Sequence, residues 1–176
     1  MERKPQFGYR ENQSIVCPGI TFTIVRQNFR PNMIIAAHQL PEIKIQVGTE
    51  IDLDSETTVA AISKALCGIA HHYAPGILLP RAKEIADSIG IAPAKWQIGR
   101  GLRTLGTCSS GKTITLSSAL VFLPQELRDY IVCHELAHLT EMNHSANFHA
   151  LCNRYCGGEE ATLRARLKTF PFPILR

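Results

Sequence analysis

Nowhere does the 176-residue chain hold the run of about 18 consecutive apolar residues that a membrane-spanning helix needs, so no transmembrane segment is expected. Residues 1–14 carry no apolar stretch either, and a secretory signal peptide is not expected. The six cysteines (Cys17, Cys67, Cys108, Cys133, Cys152 and Cys156) include no C-x-x-C pair, which removes a zinc ribbon. Charge is sparse: Asp, Glu, Lys and Arg make up 19% of residues, and the net charge is only +4. The pI of 8.8 lies below the value of about 9 that accompanies a nucleic-acid footprint, so nucleic-acid association is permitted but not argued by charge.

At 45% hydrophobic the chain is too apolar to be disordered, and its length suits one compact domain. These features together predict a soluble, cytoplasmic protein. Disulfides are rare in that compartment, so the cysteines read as plain buried thiols. Cys152 and Cys156, at i, i+4, could share a helix face as thiolate ligands, but burial is the preferred reading.

Residues 20–53 have β-like composition. Ile43, Ile45 and Val47 alternate with Lys44 and Gln46, as in a strand with one buried face. Two or three short strands are expected there. Asp54 or Ser55 suits an N-cap for a helix carrying Val59, Ile62, Leu66 and Ile69 at helical spacing. Pro75-Gly76 is expected to break that helix, with a second running from about Leu79 to Ser88 and capped by Gly90. "AKWQIGRGLRT" and "KTITLSS" read as two further strands joined by the Gly-rich stretch 106–111. Pro124 suits the start of a helix continuing through Met142, with Asn143 ending it in the left-handed conformation. Ser145 then caps a helix closed by Gly157-Gly158, and a short basic helix and Pro-rich tail follow. Strand-rich and helix-rich blocks are segregated, which makes the class α+β.

The histidines are not scattered. Four of the seven (His134, His138, His144 and His149) fall within residues 134–149, where uniform scatter would put about 0.6. The first two belong to His134-Glu135-Leu136-Ala137-His138, an H-E-x-x-H pattern that arises by chance in roughly one such chain in sixty. On a helix the two imidazoles stand about 40° apart around the axis and can reach one metal ion. Glu135 is rotated by about 100° from His134, which places its carboxylate beside the ion, where a general base meets a water held there. A catalytic zinc takes three protein ligands and keeps a fourth position open. His144, just past the helix, is the preferred third ligand. His149, Glu159 and Glu160 are the alternatives.

The segment "GTCSSGKTITLSSALVFLPQELRDYIVCHELAHLTEMNHSANF" resembles the YgjP-like metallopeptidase family, whose hallmarks are a Trp-Gly-Ser-Cys turn, H-E-L-x-H, and Asn-His-Ser-x-x-Phe-Trp. Gly106, Thr107 and Cys108 match the turn, and Asn143, His144, Ser145 and Phe148 match the last element. Leu105 and His149 stand where the family has Trp. The resemblance, strong over about residues 100–158, implies a zincin-like fold: a small, mostly antiparallel sheet packed on helices, one carrying the motif. It also implies His134, His138 and His144 as ligands of Zn2+.

The expected layout is a single domain over residues 1–176. Strands occupy 20–53, a helical segment 55–90, the metallopeptidase core 95–158, and a C-terminal helix and tail 159–176. The expected activity is zinc-dependent hydrolysis of peptide bonds in a peptide or protein substrate, with Glu135 as general base. An edge strand near 112–116 could hold an extended peptide. His149, Arg103 and Tyr155 are candidates for stabilising the oxyanion. The alternative is hydrolysis of a nucleotide phosphoanhydride, as by a pyrophosphatase; a second alternative is a non-catalytic, metal-stabilised binding module. Residues 106–113 satisfy G-x-x-x-x-G-K-T letter for letter, but the β-branched run after them predicts a strand rather than the helix a phosphate-binding loop needs.

Overall fold

A computed structural model describes residues 7–175; the first six residues of the segment read for a signal peptide lie outside them. The described residues form two compact units: one runs to Ile69 and includes the segment from Pro173, and the other is Ala70–Phe172.

In the first unit, β1 (Ser14–Cys17), β2 (Ile20–Gln27), β3 (Ile34–Gln39) and β4 (Glu42–Gly48) form a sheet in the order β1-β2-β4-β3. The alternation read in β4 is present: Ile43, Ile45 and Val47 are fully buried, and β2 sets Phe22 opposite Ile43 and Ile24 opposite Ile45 in parallel register. β1 precedes the segment in which strands were expected. It is only four residues long, and pairing with β2 across Pro18-Gly19 supplies what its composition lacks; Gly19 has φ +84°, open to glycine at little cost.

Helix α1 (Glu56–Ile89) corrects the expected break at Pro75-Gly76. Ser55 Oγ accepts from the Thr58 N–H at its start, and Gly90, with φ +81°, follows its last turn. Between them Val59, Ile62, Leu66, Ala70, Ala74, Leu78, Ala82 and Ile85 form an unbroken buried stripe. Pro75 and Pro80 both fall on the exposed side. Each removes one N–H, and the stripe's burial outweighs that loss.

The second unit places β5 (Lys95–Gly99), β6 (Gly106–Cys108) and β7 (Thr113–Ser117) in the order β5-β7-β6, with β5 parallel and β6 antiparallel to β7. The Gly-rich connection is therefore partly a strand itself. β7 is central, not an edge; the edges are β5 and β6. Across the two sheets three of the five described pairings are antiparallel.

Ser117 caps a 3-10 turn, Ser118–Phe122, by accepting from the Ala119 N–H. Pro124 then opens α2 (Gln125–Ala137), whose buried Arg128 donates back to the carbonyls of Leu120 and Val121. α3 (Ala146–Tyr155) and α4 (Glu160–Thr169) pack on α2, which also touches β6 and β7. Among the described residues no helix is long and apolar enough to cross a membrane. Of the six free thiols, Cys17, Cys133 and Cys152 are buried; Cys67, Cys108 and Cys156 are half-buried, short of the burial expected for all six.

Candidate metal centre

α2 stops earlier than its sequence suggests. Its last residue is Ala137, His138 caps it in a right-handed conformation, and Asn143 is not left-handed. The chain tightens instead through Leu139 N–H to Leu136 O and Thr140 N–H to Ala137 O. A helix continued to Met142 would carry His144 away from His134; the tight exit lets it return. Ser145 then starts α3, its Oγ accepting from the Phe148 N–H.

The outcome is a three-imidazole cluster. His144 Nε2 lies 3.1 Å from His138 Nε2 and 3.1 Å from His134 Nε2. Each of the three side chains offers one ligand atom to a group that spans no more than 4.8 Å. Two nitrogens bound tetrahedrally at about 2.0–2.1 Å from zinc stand roughly 3.3–3.4 Å apart, so the donor set fits such an ion. The tautomer fits as well. His138 Nδ1 is 3.0 Å from the Glu141 carbonyl, which can only accept; Nδ1 must carry the proton, leaving the Nε2 lone pair facing the cluster.

Burial and the neighbouring rings favour neutral imidazoles, the form a metal requires. His134 is pushed down to about 4, first by burial and then by His138 and His144; His138 is lowered mainly by burial. Beneath them lies Phe148, fully buried, with ring centroids 4.8, 4.4 and 4.8 Å from His134, His138 and His144. His144 is exposed, which opens the cluster to solvent on that side.

Glu135, one residue past His134, is 4% exposed, and its Oε2 has no hydrogen-bond partner among the described residues. Burial alone pushes its carboxyl up to about 7. An unpaired buried carboxylate is costly, and a divalent cation beside it would favour the ionised form.

The other sequence candidates are dispersed. His149 sits beside the cluster, its ring centroid 6.4 Å from that of His144, and its Nδ1 is 2.7 Å from Glu160 Oε1. Glu160 is thereby occupied, with Arg164 3.9 Å away. Glu159 and Tyr155 line a separate cavity of about 500 Å³ with Arg81, Asp129, Cys133 and Arg166. Arg103 is exposed on the loop between β5 and β6. Cys156, which caps α3, donates to the Cys152 carbonyl one turn back, and neither thiol belongs to the three-histidine group. Two residues that the sequence reading named only as family matches, with no role, are parts of the site: Phe148, four residues after His144, and Gly106, which carries no side chain to read.

Residues 106–113 form a hairpin. Ser109 and Lys112 close its turn, Lys112 with φ 58°, and β7 follows rather than a helix. Nothing in this segment resembles a phosphate-binding loop.

A small mixed sheet against a helix that ends in H-E-x-x-H, with a third histidine returned by the next loop, defines a zincin-like metallopeptidase. The chain belongs to the YgjP-like family, metallopeptidase domain, whose profile matches residues 4–170. Among solved structures it is similar to the metallopeptidase zymogen abylysin of Pyrococcus abyssi: 27% identity, TM-score 0.44, covering 52% of this chain and 94% of that one. It is also similar to the zymogen jannalysin of Methanocaldococcus jannaschii: 25% identity, TM-score 0.42, covering 51% and 96%. No curated protein matches the chain.

Proposed function

We propose that the chain is a zinc-dependent peptidase in which His134, His138 and His144 hold the ion and Glu135 is the general base. The observation that supports this most is the pairing of three converging Nε2 atoms with a buried carboxylate one residue away, whose Oε2 has no hydrogen-bond partner among the described residues. Zinc, when bound, supplies Lewis acidity and brings the pKa of a water there to about 7. Glu135 accepts the proton of the attacking water and delivers it to the amine nitrogen as the C–N bond breaks.

The substrate is an extended peptide. β6, an edge of its sheet, touches α2 and offers unpaired backbone groups along one side, so it takes the place expected of residues 112–116. Among the three oxyanion candidates, His149 alone stands next to the cluster, and Glu160 fixes its ring.

The test is Glu135→Gln. Zinc content should stay near one per chain, while hydrolysis of denatured casein falls about 10²–10⁴-fold. A variant that keeps its zinc and the parent rate would remove Glu135 from the mechanism.

A further inference from the structure

Where β6 lies against the active-site helix, Gly106 faces Glu135. A Cβ built on Gly106 would lie 2.5 Å from Glu135 Oε1, 2.7 Å from Cγ and 2.8 Å from Cδ. All three distances are well inside van der Waals contact. Gly106 is not among the residues with positive φ, so its backbone conformation is open to any amino acid. What the position demands is space. The carboxylate of Glu135 occupies the volume that every other residue type would fill.

We propose that Gly106 is a positioning residue for Glu135: its bare backbone is the wall against which the carboxylate is held. Glu has three side-chain torsions, and fixing them costs rotamer entropy that a free carboxylate would keep. A flat backbone surface on one side and the packed end of α2 on the other leave that side chain little room to turn. Leu116, opposite Gly106 in the antiparallel register and therefore on the same face of the sheet, is fully buried and fills the space beside that wall. Cys108, two residues on and therefore on the same face of β6, also feels Glu135: its thiol is raised by burial and then by the Glu135 charge. An alanine at 106 would push the carboxylate aside by about the width of a methyl group, and displacements near 1 Å can cost about 10²-fold in rate.

This inference rests on Glu135 being the base, and the experiment separates the two. Gly106→Ala, Glu135→Gln, Glu135→Ala and the double variant Gly106→Ala/Glu135→Ala are prepared with zinc, alongside Lys83→Ala, an exposed position on α1. Gly106→Ala should bind zinc as the parent does and lose about 10²-fold in kcat on denatured casein with KM unchanged; Lys83→Ala should match the parent. In thermal melting, Gly106→Ala should lower Tm by several degrees in the Glu135 background and leave it unchanged in the Glu135→Ala background, because the atoms the new methyl meets are gone. If Gly106→Ala does not fold, recovery of folding in the double variant supports the proposal, and failure of both overturns it. An equal fall in Tm in both backgrounds overturns it, as does parent kcat in Gly106→Ala while Glu135→Gln is inactive. Parent activity in Glu135→Gln overturns the base assignment as well.

Discussion

The rings of His138 and Phe148 stack, with centroids 4.4 Å apart and planes 28° from parallel. Phe148 comes from the first turns of α3 and His138 caps α2, so this contact joins the two helices at the cluster. Phe148→Ala should destabilise the zinc-free protein by about 3–5 kcal/mol, the usual cost of removing a buried Phe. It should also weaken zinc binding, because all three imidazoles lean on that ring. Urea unfolding with and without chelator, followed by zinc titration, measures both. Parent zinc affinity in this variant would show that the imidazoles hold their places without Phe148.

The third ligand is tested by metal content. His144→Ala should lose zinc by more than the roughly 10–100-fold typical of losing an outer hydrogen-bond partner. His149→Ala should keep about one zinc per chain, since its Nδ1 is directed to Glu160. The reverse result would move the ligand to α3.

The continuity of α1 gives a stability prediction. Pro80 is exposed, and without its N–H the Gly76 carbonyl lacks its helical partner. Pro80→Ala should raise stability by about 1–3 kcal/mol, less than the full helix-interior penalty because proline also restricts the unfolded chain. Chemical denaturation checks it. A loss of stability would mean that the helix does not run through residue 80.

Thiol chemistry should separate the cysteines. Cys133 is 3% exposed, with its thiol pushed up to about 12 chiefly by burial, and Cys152 is fully buried and raised for the same reason. Only the thiolate is nucleophilic. At pH 8, iodoacetamide should leave both unmodified in the native protein and label both in urea, as read by peptide mass mapping. Rapid labelling of Cys152 without denaturant would contradict the packing of α3 on α2.

Local spacing alone determined a good part of this molecule. The i, i+4 separation put His134 and His138 on one side of α2, Ser145 started α3, alternation marked β4, and the β-branched run after Lys112 made residues 106–113 a hairpin. These features depend on residues within a turn or two of each other, and the periods 3.6 and 2 express them directly. The tertiary structure decided the rest. Pro75 looked like a helix end because proline's local penalty is visible in sequence, whereas the burial of Ala74, Leu78 and Ala82 that outweighs it is not. β7 became central only when β5 and β6 paired on its two sides, and α2 stopped at Ala137 so that His144 could return. Gly106 and Glu135, 29 positions apart, meet because β6 lies against α2. No periodicity reports such a contact, for a glycine signals it only by the side chain it lacks.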